Sequence, residues 1–350
     1  MKEKLFFFSL KHPLLYILSL AIVLRILAVI FTSGYMIDDH YFNYYNIPLK
    51  WLDNPWLVYG VRLALGAFSL LIITLSYRIT KIIADKTTAL EIATFGALLW
   101  GVPYVTVHPF ASVVSLPFLL YGTLLIIKQH NLLDNNEIEK FHRTSFIIAG
   151  FCFGLGFAVY YHSLIYYIGI LLTLFILKNW KGAMMTLIGY VAAVGITQTV
   201  IDLIIYHKPF VAMTRFFSDY SSNFDWVLGL EYNIDMVIMF LLLALVPPLS
   251  VMLIFGFFRV FRKYILLVLP TLLTLVYSIF VYKISEIDIL LLTVPTYFIA
   301  GFVGWKEFYK KSQFWDRNYW LVLTCYLLFA VLNMGTLFVS FIGNLTSFFN

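Results

Sequence analysis

The strongest constraint on this chain is a series of long apolar windows separated by short charged or turn-forming stretches. The first runs from Leu14 to Phe31 and is apolar except for Arg25. About 18–20 such residues make a helix that crosses the hydrocarbon layer of a bilayer. Windows of this kind recur near 14–31, 56–77, 89–107, 111–127, 145–160, 164–177, 183–205, 236–257, 264–281, 288–305 and 319–342. The expected fold is therefore all-α, a polytopic membrane protein of about 11 transmembrane helices. The fifth and sixth windows are short and separated only by Tyr161-His162-Ser163, so a re-entrant pair is the alternative there.

Composition agrees. Charged residues make up 12% of the chain and hydrophobic residues 62%, against about 25% charged in soluble domains. No polar stretch is long enough for a separate soluble domain, so residues 1–350 are read as one membrane domain. Cys152 and Cys325 both fall in apolar windows and are expected to be core thiols, with no disulfide and no zinc site. The basic segment Met1 to Lys11 leads into an apolar run with no small-x-small cleavage site after Phe31, which reads as an uncleaved first span.

The charges orient the spans. With the N-terminus in the cytoplasm, one face collects Lys2, Lys4, Lys11, Arg78, Lys81, Lys86, Lys128, Lys140, Arg143, Lys178 and Lys181. It also takes Arg259, Arg262, Lys263, Lys306, Lys310, Lys311 and Arg317. Such a bias marks the cytoplasmic side. The net charge of +6 is thus distributed as a membrane signature and calls for no nucleic acid. The same arrangement places Asp38, Asp39, Asp53, Asp202, Asp219, Asp225, Glu231, Asp235, Glu286 and Asp288 at or near the outer face. His40, His108, His162 and His207 join them. The long outer loops, 32–55 and 206–235, are rich in aromatics and are expected to fold as amphipathic helices in the interface.

The adjacent pair Asp38 and Asp39 is the leading catalytic candidate. Neighbours on a helix point about 100° apart, so one carboxylate can face a reaction while the other orients a neighbour. A partly desolvated carboxylate can act as general base on a hydroxyl; the other reading is a solvated loop acid or a cap. Arg62 and Lys283, near outer span ends, either bind a lipid phosphate or snorkel to headgroups. Arg25 is expected to pair with a neighbouring helix or to snorkel. His108, in the tight outer turn with Pro109, is either a hydrogen-bonded turn residue or a substrate contact. Asp202, in the last turn of its span, is costly unless used or paired. No phosphate-binding G-x-x-x-x-G-K-[ST] loop, G-x-S-x-G elbow or H-E-x-x-H motif occurs. No metal and no cofactor is expected, because His40, His108 and His162 show no ligand spacing.

Three stretches carry a family resemblance. Met36-Ile37-Asp38-Asp39-His40-Tyr41-Phe42 stands where an acidic pair occupies the first outer loop of the GT-C class of multi-spanning glycosyltransferases. Asp202-Leu203-Ile204-Ile205-Tyr206-His207-Lys208-Pro209 is similar to an Asp-x-x-x-Tyr-Gly-like segment at the end of a middle span of that class. Tyr282-Lys283-Ile284-Ser285-Glu286-Ile287-Asp288, leading to Pro295, resembles its late outer loop. The branch it looks most like is the mannosyltransferases of N-glycan and GPI-anchor assembly. The His-Pro before the acids is missing here, and the late loop lacks the family's Arg.

The resemblance implies a GT-C-like inverting glycosyltransferase with a polyprenyl-phosphate sugar donor and a glycan, lipid or protein acceptor. It implies Asp38 or Asp39 as catalytic base. His40, Arg62, His108, Asp202, Lys283 and Glu286 become substrate contacts. The implied setting is a bacterial inner membrane, surrounded by membrane lipids, with the site on the periplasmic face. The rival reading is a transporter or flippase of a lipid-linked saccharide.

The topology has a direct check. A cysteine introduced at Ser222 should react with an impermeant thiol reagent added from outside, while one at Asn135 should be spared. The reverse pattern would move the acids to the cytoplasmic face.

Overall fold

The computed structural model of the chain describes residues 11–31, 55–98, 103, 106–108, 110–134, 143–223, 247–280, 286–309, 324 and 328. Among them the apolar windows form helices, and no strand occurs. In chain order these are α1 Pro13–Phe31, α2 Pro55–Ile83, α3 Lys86–Leu98, α4 Ala111–Asp134, α5 Arg143–Val159 and α6 Ser163–Ile176. They continue with α7 Trp180–Tyr206, α8 Val211–Asn223, α9 Pro247–Arg259, α10 Ile265–Phe280 and α11 Glu286–Tyr309. Prolines open α1, α2 and α9, where the missing N–H costs nothing. Asp85 caps α3 by accepting from Thr88 N at 2.8 Å, and Asn179 caps α7 by accepting from Gly182 N at 2.9 Å.

The protein is an all-α polytopic membrane protein. Helices α1, α2, α4, α7 and α11 are each long and apolar enough to cross a bilayer, and α5, α6, α9 and α10 are shorter apolar helices. Lipid-facing surfaces follow from the same composition. On α7, Met184, Ile188, Val191, Ile196, Val200 and Ile204 are exposed, a stripe that water would not tolerate and lipid would. The third window is a helix only as far as Leu98 among the described residues, and the eighth from Pro247. The eleventh falls almost wholly outside the described residues, as does loop 32–54. Loop 206–235 contains the expected amphipathic helix: α8 turns Ala212 and Phe216 inward and Arg215 and Ser218 outward.

Packing divides the bundle into linked groups. Helix α2 packs on α1, α3, α4 and α11; α4 leads to α5; α5 packs on α7; α6 packs on α10, which meets α11; and α9 packs on α11. The ends assigned to the cytoplasm come together. The Tyr264 hydroxyl donates to the Ile83 carbonyl at 3.0 Å, Lys306 pairs with Glu91, and Lys263 pairs with Glu307. The hydrogen bond to Glu307 holds the Lys263 pKa above its ordinary value. A cavity of about 260 Å³ opens at that end, lined in part by Ile83, His130, Lys263 and Tyr264.

Helices α5 and α7 run parallel, which requires α6 to return between them. Their register is set by small residues: Gly150 lies against Thr186, Gly154 against Tyr190 and Ala193, and Tyr161 reaches Gln198. A Cβ on Gly150 would collide with the Thr186 carbonyl, and one on Gly189 with the Ile147 carbonyl. Lipid gives no hydrophobic drive for helices to associate, so such backbone approach supplies the van der Waals contact that holds them. The register also sets the depth of the α5–α6 turn. It stands level with Gln198, eight residues before Tyr206, or about 12 Å below the end of α7. Helices α5 and α6, 17 and 14 residues long, reach about 26 and 21 Å, less than the ~30 Å apolar layer. The end of the bundle is therefore recessed there, and α8 covers the recess.

Glycine substitutions separate close packing from mere helix content. Gly150→Ala should lower stability by about 3 kcal/mol, the upper range for overpacking, because the neighbour is backbone. Gly195→Ala meets nothing within 4 Å and should be neutral or stabilising by up to ~1 kcal/mol. Thermal unfolding in detergent reads both.

Candidate functional site

The recess is built by a sharp elbow after α7. His207 and Phe210 both adopt left-handed backbone, with φ of 57° and 60°, so the chain doubles back within four residues. Helix α8 then lies across the α5–α6 turn. Asp202 fixes it there: its Oδ2 accepts from Ala212 N at 3.1 Å, placing a carboxylate at the α8 N-terminus. Phe216, one turn further along α8, sets its ring 4.9 Å from the Tyr161 ring and 5.0 Å from His162, centroid to centroid. Outside, the Arg215 guanidinium sits 4.9 Å over the Tyr206 ring.

Beneath α8 lies a polar cluster. The Tyr161 hydroxyl donates to Gln198 Oε1 at 2.9 Å, and His162 Nδ1 lies 2.8 Å from the Tyr277 hydroxyl. Gln198 and Asp202 are both 0% exposed and stand one helical turn apart on the same face of α7. Gln198 Nε2 and Asp202 Oδ1 have no hydrogen-bond partner among the described residues. An amide donor and a carboxylate acceptor at that spacing, beside aromatic rings, can hold neighbouring hydroxyls of a polar ligand.

A second polar locus lies between α1 and α2. Arg25 is buried; its Nε donates to Ser69 Oγ at 2.6 Å and its Nη1 to the Ala21 carbonyl at 3.2 Å. Arg62 is buried on the same face of α2 as Ser69, two turns away. Arg25 thus pairs with a neighbouring helix, through a serine.

The other sequence candidates fall as follows. Asp38, Asp39, His40 and Lys283 lie outside the described residues. Glu286 is the first residue of α11. His108 is buried in the turn before α4, and its carbonyl accepts from Phe110 N at 2.8 Å. Arg62 and Asp202 belong to different groups of the bundle: α2 packs on α1, α3, α4 and α11, α7 chiefly on α5, α6 and α8. Asp202 has a structural duty through one oxygen, which the sequence could not show. Gln198 and Tyr161 were missed. Gln198 could have been found as the polar residue four before Asp202 in an apolar helix. Among the described residues no three His, Cys, Asp or Glu side chains converge as metal ligands. No protein-family model matches the chain, and no curated protein matches it.

The capping role of Asp202 is testable. Asp202→Ala should speed amide exchange across 211–218 by about tenfold, the loss of a cap worth ~1–2 kcal/mol, whereas Asp202→Asn should keep most protection. Unchanged exchange in Asp202→Ala would show that α8 is held by other contacts.

Proposed function

We propose that the protein is an inverting glycosyltransferase acting at the outer face of a cell membrane, with a polyprenyl-phosphate sugar as donor. One observation carries the reading. Two buried polar groups that lack a full set of partners among the described residues, Gln198 and Asp202, lie toward the same end of the bundle as the close of α1 and the start of α2, in a different packing group. That is the end from which the segment bearing Asp38 and Asp39 departs. An acidic pair and hydroxyl-binding groups on one face are the parts that sugar transfer needs. Nucleotide sugars and ATP are confined to the cytoplasm, so an outer-face enzyme takes its activated sugar from a lipid.

In this reading Asp38 removes the proton of an acceptor hydroxyl as the oxygen attacks the anomeric carbon. The bond from that carbon to the phosphate oxygen breaks, and its electron pair leaves with the phosphate. Asp39 or His40 orients the base or the acceptor. Lys283 and Arg62 offset the charge that develops on the leaving phosphate, which needs no acid catalyst. Gln198, Asp202 and the nearby aromatics hold sugar hydroxyls, and Glu286 and His108 are further substrate contacts in this reading. The setting suits a bacterial inner membrane, the acceptor being a glycan, lipid or protein.

Conservative removal of the base is the test. Asp38→Asn keeps shape and loses the base, so transfer should fall by about 10²–10⁴-fold with donor binding near normal. Asp39→Asn is run beside it to identify which acid faces the substrate. Full activity in both variants sinks the reading. Movement of a lipid-linked saccharide across the membrane without any transfer would favour the flippase instead.

A further inference from the structure

Three apolar helices reach their polar boundary at one cavity. The apolar stretches Trp56–Ile83 of α2 and Ala111–His130 of α4 end there, and α10 begins there at Ile265. The cavity, of about 260 Å³, has apolar walls from Ile82, Ile127 and Leu267 and a polar wall from His130, Lys263 and Tyr264. A space at the ends of three apolar helices, apolar on one side and polar on the other, stands at headgroup depth in a bilayer. The polar wall is held in place. The Lys263 ammonium pairs with Glu307 and sits 5.0 Å from the centre of the Tyr264 ring, and the Tyr264 hydroxyl donates to the Ile83 carbonyl at 3.0 Å. An ammonium carries three N–H donors, so the bond to Glu307 leaves two for a ligand. The surroundings are cationic. Lys81, Lys128 and Arg262 are exposed, and each adjoins a lining residue in sequence. Of the acids at this end, Glu307 is engaged by Lys263 and Asp85 by the α3 cap. Helix α10 also brings the positive end of its dipole to Ile265.

We propose that this cavity holds the headgroup of an anionic phospholipid. Lys263 meets the phosphate as a point charge, and Ile82, Ile127 and Leu267 take the carbons that join the headgroup to its chains. The volume suits a headgroup and is too small for a drug-sized ligand, which fills ~300–1,000 Å³. Basic pockets between spans, on the side where Lys and Arg collect, bind lipid headgroups of this charge. A soluble phosphate ester shares the phosphate chemistry, but apolar walls at the bilayer edge favour the lipid. The site is at the Ile83 end of α2, opposite the Pro55 end that follows Asp38 and Asp39 in the chain, and it does not rest on the glycosyltransferase reading.

The test uses the full chain in phosphatidylcholine nanodiscs, titrated with phosphatidylglycerol and read by native mass spectrometry. The protein should retain phosphatidylglycerol in preference to phosphatidylcholine. Lys263→Gln should weaken that retention about tenfold, the loss of a charge-assisted hydrogen bond. Lys181, exposed at the start of α7 and not a lining residue, is the control. Lys181→Gln removes the same charge and should cost less than about threefold at physiological salt. Ile265→Trp fills the cavity and leaves every charge in place, so it should weaken retention as Lys263→Gln does; Ile82→Trp fills it from α2 if the first variant does not fold. No preference for phosphatidylglycerol, equal losses in Lys181→Gln and Lys263→Gln, or wild-type retention in a folded cavity-filling variant overturns the proposal. Displacement of the lipid by excess glycerol phosphate would assign a soluble phosphate ester and overturn the lipid assignment.

Discussion

A polar group inside a bilayer has no water to bond, and that constraint organises this protein. Threonines along the spans turn back on their own helices: Thr80 donates to the Ser76 carbonyl, Thr173 to Gly169 and Thr186 to Gly182. Deeper groups pair across helices, as Thr123 does with Tyr166 and Thr271 with Thr296. Lys306 and Glu91 form a part-buried ion pair between α11 and α3. Against this, the groups left with spare capacity stand out. Arg25, Gln198 and Asp202 are three of them. Among the described residues the hydroxyls of Tyr167 and Tyr297 also have no hydrogen-bond partner, and the structure offers no chemical use for them.

Close packing gives these groups a fixed frame. Glycines let α5 meet α7, and Gly256, Gly301 and Gly304 do the same for α9 and α11. Tyr167 and Tyr190 stack with centroids 4.1 Å apart, locking α6 against α7. The shortness of α5 and α6 then shapes this end of the bundle. Their turn stops below the end of α7, and α8 packs over it through Phe216, with Asp202 joining α8 to α7. A pair of full-length spans would have left no place there for α8.

Much of this was legible in the sequence. The spans could be read because each apolar run had to be about as long as the bilayer is thick, and the amphipathic α8 because loop 206–235 is rich in aromatics that suit the interface. The side assigned to the polar residues rests on where Lys and Arg collect. What could not be read were contacts between residues far apart in the chain. Nothing near Arg25 in sequence announces Ser69, 44 residues on, and nothing near Tyr161 announces Gln198. Asp202 was legible as a costly acid but not as the cap of another helix. Arg62 and Asp202, grouped by resemblance, sit in different parts of the bundle because α2 and α7 have different packing partners.

The central claim is that the recessed polar end serves sugar transfer from a lipid phosphate with inversion. The most direct measurement is the anomeric configuration of the product, by NMR, after purified protein in proteoliposomes is given a polyprenyl-phosphate sugar of known configuration and an acceptor glycan. A single attack on the anomeric carbon, with a carboxylate as base, predicts a product of opposite configuration to the donor. A product of the same configuration, or donor returned intact across a range of sugars and acceptors, would contradict the account.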